Sequence, residues 1–542
     1  MLAAMDIYTG AILISLLVYI AVGNYAGRRV RHLDDYFVAG RQAPTLLIVG
    51  TLVASLFSTT AFLGEAGFAY AGQAGPFLLW PPIGAMGYIY GALFFGRYLR
   101  RSRALTVADY FGQRFNSRRV QAAAGVTIIL GLGGYLLVVT QGAALLLSQL
   151  TPLTYLQGLV VAWISYTLFT MYSGSRGVIL TDTLMFLLFA SVTIAVLFYL
   201  VNEQGGWTET FRGLSSLGEK PDLMAWHGVV GPDTPFETAL DYLAFGITFA
   251  VAWSLVYAIS PWQSSRYLIA RNEQVVMRAA CFAAIAAVTM ELTIYGTGAV
   301  VNLGKADIEP YEEAMIWAAL NMMPEILGAL LLAGIMAAAL SSASTFLSLV
   351  GFSVSNDLFE PKSKDEAKRL RFSRLTMLAI GLITLAVSLV VEPDIFWLTY
   401  FVGTLYASSW GPVAFMSVWS DRITADGAFW GIVSGFVFNA GPRALESLGW
   451  IDLPSWSEPL LLGGVVSLLV TILVSRFGEV SSEERRYRQL LHQVPAEELD
   501  NMQLRNTLLA PIALIGFGIF VAIVLIRIYV RPYQEANGKL LP

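Results

Sequence analysis

Cysteine, histidine and charge are all scarce in this sequence. The one cysteine, Cys281, excludes an intrachain disulfide and any cysteine cluster for a metal. The three histidines, His32, His227 and His492, fall in expected loops, which argues against a histidine proton relay or zinc centre within the apolar runs. Charged residues make up 13% of the chain, against about 25% in soluble domains. The net charge of −4 points to no partner, and no nucleic acid is expected. No His, Cys or paired-carboxylate constellation falls inside the apolar runs, so an enzyme is not expected.

Long hydrophobic runs fill the space instead. The chain is 56% hydrophobic, and apolar stretches of about twenty residues recur along it, the mark of a polytopic, all-α membrane protein. We expect about fourteen spans, at 6–26, 45–70, 76–97, 121–149, 155–172, 178–201, 240–262, 278–303, 324–350, 374–391, 394–419, 427–445, 457–476 and 507–530. The first lacks a basic n-region and a cleavage site and reads as retained. Of the 34 lysines and arginines, all but Arg212, Lys220, Lys305, Arg443, Arg527, Arg531 and Lys539 fall on one set of loops; Lys362 and Lys364 belong to the crowded set. That asymmetry makes the crowded side cytoplasmic and places both termini outside, as an even number of spans requires. The expected partner is therefore a lipid bilayer, in the cell membrane. Residues 202–239 read as a polar outer loop, 305–322 as a short surface helix and 477–506 as an amphipathic cytoplasmic helix.

Several spans carry polar residues at depth. The run Ala333 to Ser348 holds Ser341, Ser342, Ser344, Thr345 and Ser348, and Ala338, Ser341, Ser344 and Thr345 share a helix face. Hydroxyls and freed carbonyls suit a hard monovalent cation such as sodium; close packing of small residues explains the same composition. The second span is interrupted by Ser55, Ser58, Thr59, Thr60, Gly64 and Gly67, and the seventh by Pro261. Each opens a five-span unit, 45–201 and 240–419, and matching interruptions point to an inverted-repeat transporter with its site beside the breaks. Residues 1–44 and 420–542 are then peripheral. Counted from the inner surface, Ala54 and Ser341 both lie about 14 Å deep, and Asp182 and Thr345 roughly 6–8 Å. Asp182 is either a functional intramembrane carboxylate or a helix cap. Glu65 reads as facing water or an outer vestibule, and Glu291 as a hydrogen-bonded core residue. Trp253, Tyr257 and Pro261, at i, i+4 and i+8, offer a wall for a small solute. Gln263 and Arg266 read as a cytoplasmic gate, or Arg266 as a positive-inside anchor.

DDYFVAGR at 34–41, LTVADYFGQRF at 105–115, TD at 181–182, the W-x3-Y-x3-P-x4-R pattern from Trp253 to Arg266 and AAALSSAST at 337–345 together resemble the sodium:solute symporter family. That family includes bacterial proline, galactose, sialic acid and pantothenate symporters, and the likeness runs over about residues 6–476. It implies a core of two inverted five-helix repeats, as in the leucine-transporter fold, and sodium-coupled symport by alternating access. It implies a first sodium on the carbonyls of Ala54, Phe57 and Ala338 and the hydroxyls of Ser341 and Ser342. A second, present in some members, would fall on Asp182, Ser341, Ser344 and Thr345, so one or two Na+ ions are expected. The solute would meet Ser55, Leu56, Thr60, Tyr135, Trp253, Tyr257 and Pro261. Leu56 stands where proline-type members carry an aspartate, and the polar residues of galactose members are missing from the second span. A small amino acid such as proline, or a monocarboxylate, fits better than a sugar. Proton coupling through Asp182 and a non-transporting solute sensor are the alternative readings.

Overall fold

Lipid offers the backbone no hydrogen-bond partner, so an apolar run must satisfy its own amides and carbonyls. In the computed structural model, which describes residues 7–232, 234–359, 365–391, 395–451, 453, 458–536 and 538, they do so as helices. There is no strand among the described residues, only an isolated bridge between Ala43 and Ala270. Lys362, Lys364 and Lys539 of the basic-residue partition lie outside the described residues.

The helices that matter below are α1 (Ile7–Gly27), α2 (Thr45–Leu56), α3 (Thr60–Leu79), α4 (Pro81–Gly91), α5 (Arg118–Leu150), α6 (Tyr155–Glu203), α7 (Ala239–Ile259), α8 (Pro261–Ile269) and α9 (Glu273–Val301). They continue with α10 (Glu325–Leu358), α11 (Glu366–Ser388), α12 (Ile395–Trp419), α13 (Ala425–Ser447), α14 (Pro459–Arg476), α15 (Ser482–His492) and α16 (Asn501–Glu535). Each of the expected spans coincides with helix. Among the described residues, 9 helices are long and apolar enough to cross a membrane, or 10 if the bent pair α2–α3 counts as one. The lower figure has physical causes. The expected spans 155–172 and 178–201 run together as α6, whose 49 residues extend about 73 Å, more than twice the hydrocarbon thickness. α4 is only 11 residues long and leads into the arginine-rich Arg97–Ser102, and α12 and α13, unbroken over 25 and 23 residues, are diluted by serine, glycine, tryptophan and other weakly apolar residues.

α6 is two crossings joined at Gly174 (φ 54°, ψ −150°). The Tyr36 hydroxyl donates to Met171 O (2.8 Å) and the Ser175 hydroxyl to Phe37 O (2.6 Å), so the short helix Leu33–Val38 wedges into this break. A Cβ on Gly174 would lie 2.5 Å from Tyr36 O. Gly174→Ala is expected to cost about 1–3 kcal/mol from the backbone alone, with the clash added. A lowered thermal unfolding midpoint of the purified protein checks it.

α10 is the centre of the bundle. In its apolar window 83% of residues are buried, against 11% in α16, which sits at the periphery. α10 packs along α6, α5 and α1, and α2 packs against α6 and α9.

The surface segments are more tightly held than their polarity suggests. The expected helix over 477–506 is split: α15 stops before Pro495, which lacks the amide and the conformational freedom to carry it on, and a 3-10 turn at Ala496–Leu499 leads into α16 at Asn501. It is strapped to the bundle. Arg114, fully buried, donates to Ser417 O (2.6 Å) and Glu484 O (3.4 Å), and Arg101 bridges Leu491 O (2.8 Å) and the Glu273 carboxylate (2.6 Å). The expected surface helix at 305–322 forms only over Ala314–Asn321, beyond Pro310. The 202–239 loop clasps the tip of α3: Val229 N–H donates to Gly72 O (2.8 Å), Gly75 N–H to Leu223 O (3.0 Å), and Lys220 Nζ to Tyr70 O (2.9 Å) and Asn302 Oδ1 (2.8 Å).

Candidate ion and solute sites

The second span breaks where its hydroxyls cluster. α2 ends at Leu56, Phe57 is extended (φ −84°, ψ 119°), and α3 resumes at Thr60 with a bend of 54°. In an unbroken helix Thr60 N–H would bond Leu56 O and Ala61 N–H would bond Phe57 O. Thr60 N–H instead donates to Ser58 Oγ and Ala61 N–H to Ser58 O, each 3.1 Å.

α10 passes this break with its small face. The Ser341 hydroxyl lies 2.8 Å from Ala54 O and 2.9 Å from Ala338 O, and the Ser342 hydroxyl lies 3.4 Å from Phe57 O. All five residues are buried. A hydroxyl carries one hydrogen, so Ser341 cannot satisfy both carbonyls within its reach. Two hydroxyls of α10 thus meet carbonyls at and before the break, oxygen types that suit a hard monovalent cation. Helix packing explains why Ser344 and Ser348 donate to Ser341 O (2.9 Å) and Thr345 O (2.8 Å) of their own helix. It does not explain carbonyls of another span turned onto the same hydroxyls.

The Asp182 cluster lies beside it. Asp182 Oδ2 accepts from the Thr51 hydroxyl (2.5 Å), and Arg266 Nη2 and Thr345 Oγ1 each lie 3.5 Å away. Arg266 also donates to Thr345 Oγ1. Among the described residues Asp182 Oδ1 has no hydrogen-bond partner, and both members of the ion pair are at most 1% exposed. Two expectations are corrected here. Asp182 sits inside α6 and is no helix cap. Arg266 is no interfacial anchor; it reaches inward because Asp182 is there to neutralise it. Thr51 escaped the sequence reading, although it stands one turn before Ser55 on a hydroxyl-bearing span. Gln263 belongs with this joint: its amide donates to Leu52 O (3.3 Å) and accepts from the Tyr88 hydroxyl (3.1 Å).

Beyond the break lies a narrow cavity of about 30 Å³, room for one or two water molecules. Leu56, Trp253 and Tyr257 line it together with Glu65, Glu291 and Tyr295. The other expected solute residues stand elsewhere. Ser55 donates back to Leu52 O (3.3 Å). Thr60 meets Tyr135 (3.3 Å), whose ring stacks on Phe346 with centroids 4.4 Å apart. Pro261 is off the Trp253–Tyr257 face because the helix breaks at Ser260 (φ −56°, ψ 147°), and Pro261 starts α8. Glu65 does not face water as expected; it is buried and accepts from the Tyr295 hydroxyl (2.5 Å). Glu291 accepts from the Tyr257 hydroxyl, which agrees with a hydrogen-bonded core residue.

Comparison with known proteins closes the description. The model of the sodium:solute symporter family matches residues 36–435. The sodium/pantothenate symporter of Escherichia coli K12 is 24% identical over 481 residues, covering 85% of this chain and 95% of that protein. The sodium/proline symporter of Salmonella typhimurium is 24% identical over 503 residues, covering 87% and 95%. Among solved structures, the substrate-bound outward-open state of a Na+-coupled sialic acid symporter superposes with a TM-score of 0.74 at 17% identity, covering 88% of this chain and 98% of the other. The nucleobase-cation-symport transporter Mhp1 in a closed conformation gives 0.55 at 14%, covering 84% and 97%. Those likenesses identify the fold as leucine-transporter-like.

Proposed function

Because the chain belongs to the sodium:solute symporter family, we propose that its coupling ion binds at the joint of the second span with α10, on Ala54, Phe57, Ala338, Ser341 and Ser342. The chain is a multi-pass membrane protein and a sodium-coupled symporter of a small organic solute. The observation that carries the ion site is that the Ser341 and Ser342 hydroxyls of α10 meet Ala54 O and Phe57 O where the second span breaks. Sodium there ties α2 to α10 and holds the adjoining solute cavity in shape. Its loss on the low-sodium side loosens the joint and lets the solute follow. Only a difference in ion and solute affinity between the two states produces coupling. One charge crossing 100 mV contributes about 2.3 kcal/mol.

The repeats 45–201 and 240–419 form the moving core of this reading, and the basic-residue asymmetry supports both ends outside. Asp182, Ser341, Ser344 and Thr345 form the proposed second ion position. In this arrangement Arg266 supplies the positive charge at Asp182, so a second ion enters only as Arg266 withdraws. Of the expected solute residues, Leu56, Trp253 and Tyr257 are proposed as contacts. Ser55, Thr60, Tyr135 and Pro261 are proposed as the frame that shapes the break.

Purified protein in proteoliposomes tests the reading. Whichever of a panel of labelled small amino acids and monocarboxylates is carried is expected to accumulate only under an inward sodium gradient. Accumulation that follows a proton gradient and ignores sodium would refute it.

A further inference from the structure

Two buried carboxyl groups, Glu65 on α3 and Glu291 on α9, line the solute cavity, and among the described residues neither has an ion-pair partner. Their hydrogen bonds come from two tyrosines of the same wall, Tyr295 to Glu65 and Tyr257 to Glu291. These bonds leave Glu291 Oε2 without a partner, although Glu291 is only 5% exposed. Trp253 Nε1 is likewise unpartnered, with its ring 8% exposed. The rest of the wall is aromatic. Trp253 and Tyr257 stand edge to face with centroids 6.0 Å apart, Phe249 lies 5.9 Å from Trp253, and Phe77 meets Tyr295 edge to face at 4.9 Å.

Ionised carboxylates at this depth are costly unless a counter-charge accompanies them. Aromatic faces are poor company for an anion and good company for a cation, because the ring quadrupole is negative over its face. Among the described residues no lysine, arginine or histidine lines the cavity. From this juxtaposition we infer that the transported solute carries a positively charged nitrogen, held between the Glu65–Glu291 carboxyls and the Trp253–Tyr257–Tyr295 wall. The inference rests on the symport reading and narrows it. An amino or imino acid, or a quaternary amine, fits; a bare monocarboxylate, which meets two carboxyls and no cation, does not.

A pair of probes that differ only in charge tests this. Choline and 3,3-dimethyl-1-butanol share a shape but exchange a cationic nitrogen for carbon, and acetate supplies the opposite charge. Binding to the purified full-length chain is read from quenching of tryptophan fluorescence and from the unfolding midpoint, with and without sodium. Choline is expected to bind at least about tenfold more tightly than its neutral isostere, and acetate not at all. Glu291→Gln is expected to abolish the preference, and Glu65→Gln to reduce it. The isostere comparison on the unaltered protein needs neither variant to fold. Equal binding of choline and isostere, acetate binding alone, or no binding by any probe overturns the inference. A sodium-induced rise in midpoint without choline preference leaves symport standing and removes the inference. Choline preference with no effect of sodium does the reverse.

Discussion

Ser341→Ala is expected to raise the sodium concentration for half-maximal uptake by at least about tenfold, with a smaller rise for Ser342→Ala. The order follows from geometry. Ser341 touches two carbonyls, Ala54 O and Ala338 O, at 2.8 and 2.9 Å, while Ser342 meets Phe57 O alone at 3.4 Å. A hydrogen bond or ligand contact to a charged group is worth about 1.5–3 kcal/mol, and about 1.4 kcal/mol is a factor of ten. The change removes one oxygen and little volume, so packing around the site is kept. Uptake measured against sodium concentration in proteoliposomes gives the answer. An unchanged requirement in Ser341→Ala would take the ion away from this joint.

Arg266→Met alone is expected to be the most damaging substitution to stability, and Asp182→Asn in the same chain to repair much of the damage. The pair is fully buried. Removing one member of such a pair leaves an unneutralised charge and costs about 3–5 kcal/mol, while removing both costs far less. Unfolding midpoints of the two single variants and the double variant form a double-mutant cycle. Additive losses would show that the two residues do not compensate one another. The single variant Asp182→Asn also reports on the ion count. If a second sodium visits Asp182, the sodium-to-solute ratio falls in this variant; an unchanged ratio argues for one ion.

Two contacts at the proposed ion positions were legible in the sequence because depth is a one-dimensional quantity. Counting residues from the inner surface paired Ala54 with Ser341 and Asp182 with Thr345, and these pairs meet at 2.8 and 3.5 Å. Rotation about the helix axis is harder to count once a helix breaks. The i, i+4, i+8 spacing of Trp253, Tyr257 and Pro261 assumes one straight helix, and the break at Ser260 turns Pro261 off the shared face. Arg266 and Thr51 were opaque for another reason. An arginine near a membrane boundary reads as an anchor until its carboxylate is known to lie within reach, and Asp182 is 84 residues away in the chain. Glu65 and Glu291 were read one at a time, whereas their meaning comes from facing the same cavity.

The clasp between the 202–239 loop and the tip of α3 has a bearing on evolution as well as on motion. Two of its links, Val229 to Gly72 and Gly75 to Leu223, are main-chain bonds. A fastening made of amides survives most side-chain substitutions, so the exterior of this loop is free to diversify while its attachment persists. Relatives that exchange one cargo for another can therefore vary this covering widely and still keep the tip of α3 tethered to it.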